Sequence, residues 1–306
     1  MDRLEMHTHF DGVLEFAAVE WCNVRRMKNE ARFYLEADRS SVQFWVDTRL
    51  PFEPKGNMRE ARDALRKALL SLEPKSGHIL AATYRSLDCR FCDVENVLLY
   101  NVGAAAFAAV AMEGLRFERN RTQPPSSPCG GSFNHYHEYR LIEPSHSPPR
   151  DPCCSLNFEI CSLTSATKPH QIWWPASVAS TGPSRAVNGL FEMRVIVKLP
   201  NAVRNMTSVI KPLLDGVISA LHSDPQPSPD AVTRLAAKTG WKSEEIIHRL
   251  QSPQCPVLGP RRLLDAYRDF VKWNPADDLC EACTVLYEPS LSRECRVEVW
   301  SWQDAR

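Results

Sequence analysis

Between Phe191 and Lys198 one face is apolar and the other mostly charged: Phe191, Met193, Val195 and Val197 are interleaved with Glu192, Arg194, Ile196 and Lys198. A period of two predicts a strand, ending at Pro200. A polar turn, Asn201 to Asn205, follows, and the period then changes. Val209, Ile210, Leu213, Leu214, Val217, Ile218 and Leu221 form an apolar stripe, which predicts a helix from Thr207 to His222 with Thr207 or Ser208 as its cap. Lys211, Asp215, Ser219 and His222 line its opposite face. Pro212 falls in or just past the first turn, where a missing N–H costs little.

The same reading predicts strands over 41–51, 78–87 and 135–141, and a helix over 57–72 with Asn57 as cap and a stripe of Ala61, Ala64, Leu65, Ala68, Leu69 and Leu72. Residues 101–115 are rich in small side chains and fit a packed helix or a strand with a loop. Helices are expected over 229–238 and 243–250, a third near 261–271, and two closing strands between Cys283 and Trp302. Pro124, Pro125, Pro128, Gly130, Gly131, Pro144, Pro148 and Pro149 punctuate a linker. The expected organisation is an N-terminal α/β part over 1–121, a Pro-rich linker and irregular segment over 122–190, and a C-terminal part over 191–306 with a helical insertion at 223–272. The fold class is α+β.

Composition narrows the function classes. The chain has 306 residues and a formal net charge of zero, so a nucleic-acid site has to be a local patch. No run approaches the ~18 apolar residues of a membrane span. The first ten residues, MDRLEMHTHF, lack the basic-then-apolar pattern of a signal peptide. With 11 cysteines, an odd number, a reduced thiol pool in the cytosol is expected rather than a disulfide framework.

Two stretches carry candidate chemistry. Asp93-x-Glu95-Asn96 follows a strand and opens an apolar segment. Two carboxylates so spaced at a helix start can turn toward one divalent ion, with the helix dipole favouring the anions; the plainer reading is an ordinary acidic first turn. Lys211 with Asp215, and Trp273 followed by Asp277-Asp278, form the other. Lys211 and Asp215 also fit a plain i,i+4 charge pair. His7-x-His9 and His135-x-His137 can each present two imidazoles on one strand face, although polar strand faces account for both. His7-x-His9 also occurs in metal-dependent amidohydrolases, but the repeated βα pattern of that barrel is absent. Cys89/Cys92 and Cys280/Cys283 have the number of thiolates for a closed zinc site. Both lack the surrounding glycines and prolines, and zinc is not expected. Trp173-Trp174 are read as packing, with base stacking as the alternative.

The order of strand, polar turn, helix, aromatic loop with Asp277-Asp278, and closing strands resembles the RusA family of Holliday-junction resolvases. That family has D-x-D-N-x-x-K at the helix start, an acidic pair after an aromatic-rich loop, and a closing hairpin. Ile210 to Leu221 matches the second half of its helix, Lys211 falls on the motif lysine, and Cys283 to Trp302 matches the hairpin. The motif acids and asparagine are replaced by Asn205, Thr207 and Ser208. In the first stretch Asp93, Glu95 and Asn96 fit the motif, and Leu99 stands in place of the lysine. One reading is two degenerate RusA-like halves, one supplying Asp93 and Glu95, the other Lys211 and Asp278; the other reading keeps a single RusA-like C-terminal part and takes Asp93 and Glu95 as ordinary acids of a capped turn.

The resemblance implies a Mg²⁺-dependent endonuclease acting on DNA, branched DNA included, with Lys211, Asp277, Asp278, Asp93 and Glu95 as catalytic residues. Asp93, Glu95 and Asp278 are its metal ligands. Arg194, Lys198 and Arg204 on the strand and turn, and Arg261 and Arg262 on the third helix, are the candidate phosphate contacts. The alternative is a non-catalytic subunit binding nucleic acid or protein. A pseudo-dimeric monomer and a homodimer both fit. If the site is real, the four carboxylates gather within about 8 Å, close enough to share metal ions.

Overall fold

The computed structural model describes residues 32–88, 93–144, 151–201 and 205–302. The strands are β1 (Phe33–Ala37), β2 (Ser41–Val46), β3 (Ile79–Arg85), β4 (Gly114–Asn120), β5 (His135–Ile142), β6 (Cys154–Glu159), β7 (Ser180–Thr181), β8 (Phe191–Leu199), β9 (Leu264–Tyr267), β10 (Phe270–Trp273), β11 (Cys280–Pro289) and β12 (Glu294–Ser301). The α-helices are α1 (Asn57–Leu69), α2 (Pro169–Ala176), α3 (Ile210–Ala220), α4 (Pro229–Thr239) and α5 (Ser243–Gln251). The α+β class read from the sequence holds. Among the described residues, no helix is long and apolar enough to cross a membrane.

Ten strands form one mixed sheet in the order β1-β2-β5-β3-β4-β11-β8-β12-β6-β7. Read outward from its middle, the sheet repeats itself. In the first half β3 runs parallel to β4 and antiparallel to β5, which runs antiparallel to β2. In the second half β8 runs parallel to β11 and antiparallel to β12, which runs antiparallel to β6. Helix α1 precedes β3 and α2 precedes β8. The halves meet where β4 pairs antiparallel with β11, Phe117 opposite Cys283. An antiparallel seam relates its two strands by a local two-fold axis, so the connectivity has pseudo-two-fold symmetry.

Alternation sends Leu80, Ala82 and Tyr84 of β3, and Phe191, Met193, Val195 and Val197 of β8, into one continuous core with α1 and α3. The intervening residues fall on the other face, which carries ion pairs such as Arg116–Glu192 at 3.1 Å and Arg296–Glu298 at 2.6 Å. Gly216 lets α3 approach α2: a Cβ there would meet Ile172 Cβ and the Pro169 carbonyl oxygen, each at 2.6 Å.

Three expected elements are corrected. First, 122–190 is more than a linker, because β5 belongs to the first half, and β6, α2 and β7 to the second. The prolines at 124–128 and 144–149 flank β5 rather than interrupting it. Second, the helix expected near 261–271 is the hairpin β9–β10. Its turn is Arg268-Asp269, with Arg268 at φ 48°. Left-handed backbone at Arg268 suits a two-residue hairpin turn, and a helix cannot pass through it. Third, β11 and β12 do not form a hairpin, since β8 lies between them and pairs with both.

The insertion is packed onto α2 through aromatic contacts. Trp174 stacks on Trp241 with ring centroids 3.7 Å apart, and the Arg249 guanidinium lies 3.7 Å from the Trp174 centroid. Trp173 is fully buried against Trp273. The tryptophans read as packing are packing.

Candidate active site between the two halves

Asp93 and Glu95 stand after β3, where helical backbone begins. The amide N–H groups of Asn96 and Val97 donate to the Asp93 carbonyl, so Asp93 heads the turn. Asn96–Tyr100 then continues as π-helix, with the Asn101 N–H donating to the Asn96 carbonyl. Val97, Leu98 and Leu99 are buried beneath it, and this leaves the acids at its open end. Single π-helical turns occur often at functional positions.

The second half contributes from two directions. Lys211 and Asp215 lie one turn apart on α3. Asp277 begins a 3₁₀ turn, Asp277–Leu279, just ahead of β11. The buried Arg119 holds that turn in place: its guanidinium donates to the Asp278 carbonyl at 2.8 Å and pairs with buried Glu281. The β8–β11 register shifts between Cys280 and Ala282, so Glu281 sits at a bulge beside the site, a common device for re-aiming side chains.

These elements converge on the Lys211 ammonium. It lies 3.0 Å from Glu95 Oε1, 3.1 Å from Asp215 Oδ1 and 3.8 Å from Asp93 Oδ2, and it contacts Asp277 Oδ2 directly. The Lys211 backbone N–H donates to Tyr100 Oη at 2.9 Å, and Asn96 Nδ2 donates to Asp93 Oδ2 at 2.6 Å. The Glu95 side chain is 1% exposed, whereas Asp93 is 29% exposed and forms the open side.

Four carboxylates surround one ammonium, and the electrostatics follow from that imbalance. Burial, with repulsion from Asp277 and Asp93, raises the Glu95 carboxyl to about 7 despite Lys211. Burial raises Asp215 to about 6, again against the pull of Lys211. Asp93 is raised by burial and by Asp277. Burial alone would lower Lys211, but Glu95, Asp215 and Asp277 outweigh it and raise the ammonium. The pocket is short of positive charge.

Among the described residues, Asp93, Glu95 and Asp277 form the one group of three metal-capable side chains, with ligand atoms all within 4.8 Å of one another. An all-oxygen donor set of this kind suits Mg²⁺ or Mn²⁺. Asp278, expected as a metal ligand, is not a member of this group. Successive residues of the 3₁₀ turn point in different directions, and its carboxylate lies 3.7 Å from Arg261 instead. Asp277 takes its place in the group.

The proposed phosphate contacts do not form one patch. Arg261 is beside the site through Asp278, and Arg262 is tied to Asp265 at 2.7 Å. Lys198 stands opposite Glu288 and near Glu294, at the far end of β8 from the end where Phe191 pairs with Cys280. Arg194 alternates with the core residues of β8 and so lies on the sheet face away from α3. Arg204, His7, His9, Cys89 and Cys92 lie outside the described residues. His137 is fully buried against Phe44 and Tyr84, and burial lowers its pKa to about 3. His135 Nδ1 shares a 2.7 Å hydrogen bond with Tyr84 Oη. Cys280 and Cys283 are both buried in β11.

Sequence reasoning missed Tyr100, Arg119 and Glu281. The only signal for Arg119 was its place in the basic run Arg116 to Arg121. A cleft of about 540 Å³, lined in part by Arg119, Arg121, Glu281 and Trp302, opens beside the Asp277 turn rather than over the carboxylates. In comparisons with known proteins, the chain matches no family model, no curated protein and no solved structure.

Proposed function

We propose that this protein is a RusA-like, divalent-cation-dependent endonuclease acting on DNA, with branched DNA as its substrate class. The observation that carries the reading is the convergence of Asp93 and Glu95 from one half with Lys211, Asp215 and Asp277 from the other. Asp93, Glu95 and Asp277 would hold Mg²⁺ or Mn²⁺. Bound in such a site, the ion supplies Lewis acidity toward a phosphoryl oxygen and an acidified water. Lys211 brings a fixed ammonium to the same point, suited to a non-bridging phosphate oxygen. Asp93, the most exposed of its carboxylate partners, is placed to orient water at the open side. Arg121, exposed at the neighbouring cleft, is positioned for the phosphate backbone. Tyr267 and Phe270 are both half-exposed, with ring centroids 5.2 Å apart beside Arg268, a combination suited to stacking on bases. The reading carries with it a cytosolic setting, in which the thiols stay reduced.

One observation favours the non-catalytic alternative: the Lys211 ammonium already contacts Glu95 and Asp277, as in a structural ion-pair network. Cleavage of branched, duplex and single-stranded DNA with Mg²⁺ or Mn²⁺, by the wild type and by Asp277→Asn, separates the two. Cleavage that vanishes in the variant supports the nuclease. No cleavage of any substrate by the wild type supports the binding subunit.

A further inference from the structure

The pseudo-two-fold axis creates a second position equivalent to the carboxylate cluster. Asp93-x-Glu95-Asn96-x-x-Leu99 follows β3, as Asn205-x-Thr207-Ser208-x-x-Lys211 follows β8. Each of a symmetric pair of composite sites would draw one pair of acids from one half, and its lysine with the acid ahead of the next strand from the other. The site described above does so. Its mirror would combine Asn205 and Thr207 with Leu99 and the segment ahead of β4. That segment reads Val110-Ala111-Met112, where β11 is preceded by Asp277-Asp278.

The structure sets Asn205 and Thr207 against the turn Ala104–Phe107, which follows Leu99 in the chain. Asn205 Nδ2 donates to the Ala104 carbonyl at 3.1 Å, and the Thr207 hydroxyl lies 3.1 Å from the same oxygen and 2.5 Å from Asn205 Oδ1. Asn205 Oδ1 accepts from the Thr207 N–H, so its remaining polar capacity is used internally. Thr207 and Leu99 are each 1% exposed, and Val110 and Ala111 are buried. Glu113, the nearest acid in sequence, accepts instead from the Gly77 N–H at 2.8 Å. Among the described residues, the mirror position holds no carboxylate cluster and no ammonium.

We propose that the chain, as a monomer, cuts one DNA strand per binding event, although its frame is two-fold. The inference rests on the nuclease reading. Each event consumes one water and breaks one P–O ester bond. The water oxygen joins phosphorus, the departing sugar oxygen takes a proton, and one phosphate monoester and one hydroxyl result. The second strand is left uncut because, among the described residues, the mirror position offers no second set of hydrolytic groups.

The test is a supercoiled plasmid that extrudes a cruciform, incubated with excess full-length protein and Mn²⁺ while solution mass is monitored. The expected product is nicked circle, with linear DNA appearing only after a lag as a second, independent event. Asn205→Ala is expected to nick within about twofold of wild type, and Glu95→Gln not at all. Linear DNA formed without a nicked intermediate overturns the proposal, whether it comes from a monomer or from a dimer. Loss of nicking in folded Asn205→Ala overturns the claim that the mirror position is inert. No product of either kind overturns the nuclease reading itself, and the single-strand proposal falls with it.

Discussion

After β3 the chain places Asp93 and Glu95; after β8 it places Asn205 and Thr207 on the same connectivity. Each half has kept what the other lacks, since Lys211 and Asp277 stand where the first half has Leu99 and the apolar run ahead of β4. In the nuclease reading proposed above, two such halves need only one complete composite site between them. The other position is then free to become core. That freedom shows in the packing: Leu99 and Thr207 are buried, whereas the Lys211 cluster keeps an open side at Asp93.

The contrast between the two positions can be broken most severely at the carboxylates. Asp277→Asn or Glu95→Gln replaces an oxygen of the proposed donor set, and cleavage is expected to fall roughly a thousandfold, the scale of several kcal/mol of transition-state stabilisation. Asn205→Ala at the mirror position is expected to leave initial rates unchanged.

Stability gives the next effect. Lys211→Ala strands buried carboxylates without their cation and is expected to cost about 3–5 kcal/mol in denaturant unfolding, partly recovered on adding Mn²⁺. Leu99→Ala, its mirror, is expected to cost about 2–5 kcal/mol through a cavity, with no recovery by any ion.

Much of this arrangement was legible in the sequence, and what was not has physical causes. Alternation in β8 and the stripe of α3 are dense local signals, and both elements fall close to where periodicity put them. The motif spacing of Asp93 and Glu95 pointed to one end of the cluster and Lys211 to the other. Which member of Asp277-Asp278 faces Lys211 depends on the rotation of a 3₁₀ turn, which adjacent identical residues do not reveal. The β9–β10 hairpin was hidden because its basic residues also suit a helix, and only the left-handed Arg268 decides against one. Arg119 acts through the β4–β11 seam, a contact between residues far apart in the chain that no local pattern records.

The pH dependence sharpens the comparison further. Glu95 ionises at about 7 in the folded chain against 4.5 ordinarily, so the folded state holds that proton more tightly than the unfolded one. Its contribution is therefore most favourable below 4.5 and is lost as pH rises through 7, a swing of roughly 3 kcal/mol. The melting temperature without divalent ions is expected to fall between pH 5 and 7.5, and Glu95→Gln to flatten that slope. A slope unchanged in the variant would place the titration elsewhere. A smaller effect is expected at the α2–α3 contact that carries Lys211. Gly216→Ala forces a methyl against Ile172 and the Pro169 carbonyl and is expected to destabilise by about 1–3 kcal/mol, read by thermal melting.

The central claim is that Asp93, Glu95 and Asp277 together hold a divalent cation. Mn²⁺ binding to the full chain, followed by electron paramagnetic resonance, tests it without any assumption about substrate. The account predicts saturable binding in the wild type and in Asn205→Ala, and its loss in a folded Glu95→Gln/Asp277→Asn double variant. Wild-type protein that binds no Mn²⁺, or binding that survives in the double variant, would contradict it.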